Sequence, residues 1–127
     1  MSLRLHPDNP HYLEMNGRPL VLIGSGEHYG AVMNLDFDYR SYLRSLQDAG
    51  LNQTRLFSGT YREVPGSFGI AHNTLAPAPD RYVCPWARSG DGFDLERFDE
   101  AYFARLSDFI DEAARCGVVV ELVLFCF

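Results

Sequence analysis

The 127-residue chain is long enough for one domain around a single core. Its 11 Lys and Arg against 17 Asp and Glu leave a formal charge of −6, which argues against a nucleic-acid partner, since affinity for phosphate backbones rests on a basic surface. An apolar share of 46% argues against wholesale disorder.

The opening MSLRLHPDNPHY has no apolar h-region and does not read as a secretory signal. In YLEMNGRPLVLI, two short extended runs flank Asn16-Gly17, the dipeptide that most readily takes positive φ at both centres of a tight turn. A hairpin is predicted there, leading into a buried strand from Leu20 to Ile23. The stretch VLIGSGEHYG then offers two readings. It could be a strand feeding a phosphate-cradling glycine turn, or a strand that carries polar side chains to the edge of a site. A dinucleotide fold needs its helix to begin within the glycine turn, with the helix amino end facing the pyrophosphate. Here Glu27 would set a carboxylate against the phosphate, and Gly24, Gly26 and Gly30 depart from G-x-G-x-x-G. The second reading is preferred, and a small nucleotide-binding α/β protein is kept as an alternative.

From residue 36 to 50, Tyr39, Tyr42, Leu43, Leu46 and Ala49 fall at helical spacing, with Asp36 or Asp38 as the cap and Gly50 as the left-handed stop. A strand follows from Leu51 to Ser58. Residues 59 to 94 hold many prolines and glycines without a sustained period, and read as one long loop of the kind that forms lids and binding segments. A second helix is predicted over about 99 to 116. Asp99 is its cap, Phe98 and Phe103 form a staple across the cap, and Phe103, Leu106, Phe109, Ile110 and Ala113 make the buried face. Gly117 ends it, and VVVELVLFCF is a strand running to Phe127. This nearly apolar run is too short to span a bilayer. DAGLNQTRLF and RCGVVVELVL repeat one device, in which a helix end and a glycine lead into a buried strand. The order is therefore β-α-β-α-β with a parallel sheet. The three cysteines show no C-x-x-C spacing, so a reduced, cytoplasmic setting is expected, with Cys116 and Cys126 as small buried hydrophobes.

Three parallel strands and two helices do not cover both faces of a sheet, and open sheet edges invite pairing with other chains. The expectation is either a partner chain that completes the sheet or further segments of a larger fold.

The NG hairpin, GSGEHYG, DFDYRSYLRSLQDAGLN, TRLFSGTYRE and FDLERFDEAYFARLSDFIDEAARCGVVVELVLF together resemble the amino-terminal part of a (β/α)8-barrel glycoside hydrolase of the cellulase-like, clan A superfamily. The resemblance covers nearly all of the chain but only about three-eighths of such a barrel, which needs ~250 residues. It implies that residues 1–127 are one incomplete TIM-barrel glycosidase-like domain. Further barrel segments or an oligomer would complete it, and a carbohydrate would be its substrate. No cofactor, nucleic acid or membrane is implied.

In a barrel, whatever follows a strand lies on the catalytic face. That places Glu27, His28, Tyr29, Ser58, Tyr61, Arg62 and Trp86 on one rim, where hydrogen-bonding groups and rings suit the hydroxyl edges and C–H faces of a sugar. Glu27 and His28 could instead satisfy loop amides. Trp86 could equally pin the loop, the role preferred for Phe68 and Tyr82. Arg55 sits inside a strand, where a buried guanidinium needs a partner, and Glu121 in the neighbouring strand is the structural candidate. The resemblance adds a role for Arg55 in supporting a catalytic nucleophile. A metal site from Glu27, His28, His72 and Cys84 matches no zinc spacing.

Glycoside hydrolysis needs two carboxyl groups, ~5–5.5 Å apart for retention or ~6.5–9.5 Å for inversion. The resemblance puts them after the fourth and seventh strands, beyond the correspondence. Glu27, Glu63 and Asp91 are rim acids, but no motif pairs any two. The chain is therefore expected to lack catalytic residues and, alone, to hydrolyse nothing. The alternative from a different class is an oligomeric carbohydrate-binding or interaction module.

Overall fold

Two glycine-terminated helices set the architecture, because each hands the chain directly to a parallel strand. The computed structural model describes residues 3–124. Helix α1 (Tyr39–Asp48) is capped by Asp38, whose carboxylate accepts from Ser41 N at 3.0 Å. Helix α2 (Glu100–Arg115) is capped by Asp99, which accepts from Ala101 N at 2.9 Å and Tyr102 N at 3.3 Å. Both helices stop in the same way. Gly50 and Gly117 take φ of 72° and 71°, and the amides of Leu51 and Val118 turn back to Leu46 O at 2.9 Å and Ala113 O at 2.8 Å. These paired bonds satisfy carbonyls that a helix end leaves open.

The amino-terminal region forms an antiparallel sheet of β1 (Leu3–Leu5), β2 (Leu13–Met15) and β3 (Arg18–Leu20). Asn16 and Gly17 make the β2–β3 turn at φ of 53° and 76°, as the dipeptide predicts. Arg4 sits opposite Glu14 in the ladder, and their side chains pair at 2.6 Å over the otherwise buried carboxylate.

The strand expected at Leu20 to Ile23 is not there. Leu20 closes β3, and the first parallel strand, β4, runs from Gly24 to Tyr29. Asn52 explains the offset. Its side-chain oxygen accepts from Ile23 N at 2.6 Å and its amide donates to Val21 O at 2.9 Å, so an amide side chain takes the bonds a ladder would use. The central sheet has the order β4-β5-β8, all parallel, with β5 at Gln53–Phe57 and β8 at Val119–Val123. Among the described residues these strands form an open sheet, with no closed barrel. The expectation of a strand through to Phe127, and of a buried Cys126, concerns residues that include 125–127, which lie outside those described.

The predicted single loop over 59–94 is also corrected. It contains short 3₁₀ turns at Ser67–Gly69 and Pro79–Arg81, and then the hairpin of β6 (Trp86–Ser89) and β7 (Gly92–Phe98). An antiparallel bridge between Asn34 and Tyr82 ties the middle of this region back to the segment after β4.

Period-two alternation divides the central sheet's faces. Thr54 and Leu56 on β5 are buried against the helices, where Leu43, Leu46, Phe109, Ala113 and Val118 complete the main core. A second cluster of Met33, Leu75, Tyr82 and Cys84 lies beneath the long connection. The buried stripe of α2 is rotated from its expected position. Tyr102, Phe109 and Ala113 are buried, whereas Phe103 and Ile110 are 42% and 43% exposed. The Phe98–Phe103 staple does form, edge to face at 5.5 Å between ring centroids.

The helices are clasped at one point. Tyr39 on α1 donates its hydroxyl to Asp108 on α2, and Arg40 reaches the same carboxylate at 2.7 Å. The Tyr39 hydrogen bond, aided by the Arg40 charge, holds the Asp108 carboxyl below its ordinary 3.8. A depressed carboxyl stabilises the fold above its unfolded pKa, and that contribution is lost as pH falls through the folded value. The stability gap between the native chain and Tyr39→Phe should therefore hold constant near neutrality and shrink below about pH 4. Urea unfolding at pH 7 and pH 3 measures it, and an equal gap at both values would refute the clasp.

Candidate functional site

The central sheet's outward face carries a polar cluster among apolar side chains, with Gln53, Arg55 and Glu121 beside Phe57, Val119 and Val123. Gln53 and Arg55 project from β5 away from the helices, and Glu121 stands opposite Arg55 in the β5–β8 ladder. Arg55 Nη2 lies 2.9 Å from Glu121 Oε1 and 3.2 Å from Oε2, and Gln53 Nε2 donates to Oε2 at 2.9 Å. The pairing expected of Arg55 and Glu121 is present, but the expected burial is not. Their side chains are 43% and 41% exposed, so the pair is worth under about 1 kcal/mol and is no core device.

Glu27, His28 and Tyr29 belong to β4 itself, not to a loop beyond it. His28 stands opposite Arg55 and Tyr29 opposite Leu56, with a register irregularity between Gly24 and His28. This also disposes of the phosphate-cradle alternative. Gly24 and Gly26 are strand residues, β4 ends at Tyr29, and the first helix begins only at Tyr39, so no helix amino end meets the glycines.

The carboxyl ends of β5 and β8 open onto the remaining candidates. Ser58 is buried, and its hydroxyl donates to Leu124 O and contacts Thr60 Oγ1, each at 3.2 Å. Those bonds join the strand ends. Tyr61 packs edge to face on Phe57 at 5.8 Å and donates its hydroxyl to Glu63 Oε1 at 3.2 Å. Asn73 donates to the other oxygen of the same carboxylate. Arg62 lies over the Tyr82 ring at 5.0 Å, a cation–π contact. Tyr82 is buried, donates its hydroxyl to Gly59 O, and has its pKa pushed up to about 12, chiefly by burial. It fastens the loop, as expected. Trp86 is half-buried in β6 against the Met33–Leu75–Tyr82–Cys84 cluster. Phe68 departs from its expected pinning role, because it is 82% exposed.

Sequence reasoning missed Arg105. Its guanidinium donates to Ala31 O at 2.9 Å, Val32 O at 3.1 Å, Asn34 O at 3.1 Å and Phe37 O at 3.1 Å. It also lies 4.8 Å from the centre of the Tyr39 ring. One side chain thus gathers the segment that leaves β4. The available signal was spacing, since Tyr102, Arg105 and Phe109 share one helical stripe.

The fold and face define a mixed α/β unit, with a parallel sheet covered by two helices on one side and carrying the Gln53, Arg55 and Glu121 cluster on the other. No family model matches the chain, and no curated protein does. Among solved structures it is similar to a Bacteroides vulgatus protein described as a candidate glycoside hydrolase, with a TM-score of 0.69 and 22% identity over 97% of this chain. The chain spans 24% of that protein's length. At this identity the likeness speaks to the fold. No helix among the described residues is long and apolar enough to cross a membrane.

Proposed function

We propose that the chain forms the amino-terminal β/α units of a (β/α)8-type glycoside hydrolase domain. In this role it supplies a carbohydrate-binding edge and leaves the catalytic carboxylates to other segments. The observation that carries the reading is the division of the β4-β5-β8 sheet. One face is covered by helices, while the other sets the Arg55, Glu121 and Gln53 cluster among Phe57, Val119 and Val123, the mixture of hydrogen-bonding groups and apolar walls that suits a barrel lumen leading to a sugar site. The structural likeness, which spans a quarter of a larger candidate glycoside hydrolase, supports the same fold. Glu27, His28, Tyr29, Arg55, Ser58, Tyr61, Arg62 and Trp86 are the proposed substrate-side residues. Ser58 contributes by holding the strand ends and Arg62 by bracing Tyr82.

The purified chain should bind neutral oligosaccharides weakly, at millimolar strength (about 4 kcal/mol). It should release no product from aryl glycosides or β-glucans. Turnover that disappears in Glu27→Gln would overturn the assignment of catalysis to other segments, and absence of any sugar binding would remove the reading.

A second reading, an oligomeric binding or interaction module, is favoured by one feature. An apolar cleft of about 230 Å³ is lined by Leu3, Met15, Ile110, Val118 and Leu122, among others. Size-exclusion chromatography with light scattering separates the two. A defined oligomer supports the module, and heterogeneous association supports a unit that needs further β/α segments.

A further inference from the structure

The loop from Glu63 to Leu75 is closed at its neck and carries an exposed ring at its tip. At the neck, Glu63 N donates to Leu75 O at 2.8 Å, Leu75 N donates to Asn73 Oδ1 at 3.0 Å, and the Glu63 carboxylate receives both Tyr61 and Asn73. Leu75 is buried in the second core cluster, so the neck is anchored. The tip is ordered by its own backbone. Ser67 N reaches Val64 O at 3.0 Å, Gly69 N reaches Gly66 O at 3.1 Å, and Ile70 N reaches Ser67 O at 3.1 Å. Compact loops with closed ends and internal bonding are often functional.

Phe68 and His72 are the two non-glycine residues of this loop at positive φ, and Phe68 is the apolar one. Its φ is 55° and ψ is 14°, left-handed values that a bulky residue adopts only at a cost. Glycines at 66 and 69 take positive φ beside it, at 88° and 68°, yet position 68 itself keeps a phenyl group. That ring does not repay the strain by packing, being 82% exposed. An apolar ring held in a strained conformation and directed at solvent is suited to contact something outside the chain.

We propose that Phe68 is a stacking platform for the apolar C–H face of a neutral pyranoside, an outlying subsite of the carbohydrate-binding edge. The inference rests on that reading of the edge. Two observations favour a sugar over a protein partner. The loop leaves the carboxyl end of β5, on the same side as Tyr61 and Ser58. The apolar surface at the tip is one ring flanked by Val64 and Ile70, which suits one sugar ring and falls far short of the ~800 Å² per partner of a stable protein interface.

The test uses the full chain with cellotetraose, xylotetraose and mannotetraose, titrated by NMR, on the native protein, Phe68→Gly and Phe68→Trp. Phe68→Gly relieves the backbone strain, so its melting temperature should stay level or rise while binding of at least one oligosaccharide weakens about tenfold, the loss of one buried ring. Phe68→Trp should retain binding and report it by a fluorescence change. If the native chain binds a tetrasaccharide and Phe68→Gly binds it equally, the platform is wrong while the sugar-binding edge stands. If none of the three binds the native chain, both fail. If Phe68→Gly instead abolishes self-association with sugar binding unchanged, the tip is a protein contact and the proposal is overturned.

Discussion

Gly30→Ala is expected to destabilise the chain by about 2–3 kcal/mol, a large share of an ordinary domain's stability. The reason is a close approach rather than a special backbone angle. A Cβ at Gly30 would lie 2.3 Å from Thr74 O and 3.1 Å from Thr74 C, and a backbone carbonyl cannot rotate aside as a side chain can. Thr74 is further held because its carbonyl accepts from Asn34 Nδ2 at 3.2 Å. The methyl group therefore wedges the exit of β4 away from the neck of the 63–75 loop. Gly50→Ala is the control. Its φ of 72° makes alanine unfavourable, but nothing lies within 4 Å of the added carbon, so the cost should stay near ~1 kcal/mol. Urea denaturation of both variants checks the ordering. Equal losses would show that the Gly30 contact relaxes freely.

The second large effect belongs to Arg105→Ala, for which a loss of about 2–4 kcal/mol is expected. Alanine removes charge-assisted bonds to Ala31, Val32, Asn34 and Phe37 and leaves partly enclosed carbonyls to recruit water. Burial of the guanidinium already pushes its pKa down, so the native bonds are made against a desolvation cost. Arg105→Lys should restore only part of the loss, because a single ammonium cannot reproduce a planar fork that reaches four acceptors. Hydrogen exchange at residues 31–37 provides the local readout. Exchange should accelerate there before the rest of the chain is affected, and uniform acceleration would count against a local fastening role.

What the sequence discloses follows from how each element earns its stability. The helices announce themselves because capping, period and stop signal coincide at Asp38 to Gly50 and at Asp99 to Gly117. The Asn16-Gly17 turn is equally plain. The first parallel strand is not, since glycines and polar residues at 24–29 have little strand preference of their own and owe their extended form to the β5 ladder. The β6–β7 hairpin was hidden for another reason. Most of β7 is exposed, so its residues carry no pattern imposed by a buried face, although Ser89-Gly90-Asp91-Gly92 was an available turn signal. Among the candidate site residues, the partnership of Arg55 with Glu121 was legible because both lie mid-strand, whereas its exposure was not. The face they share is covered by neither helix, and side-chain type alone does not reveal that.

The anchored neck between Glu63 and Leu75 has an evolutionary consequence. The two ends are already joined by a backbone bond, and Leu75 seats one of them on the core, so the intervening residues 64–72 can vary as an exchangeable cassette. Longer, shorter or differently decorated tips can be grafted onto the same stem without disturbing the ladder below. A lineage could thereby alter the surface it presents there while inheriting its scaffold unchanged.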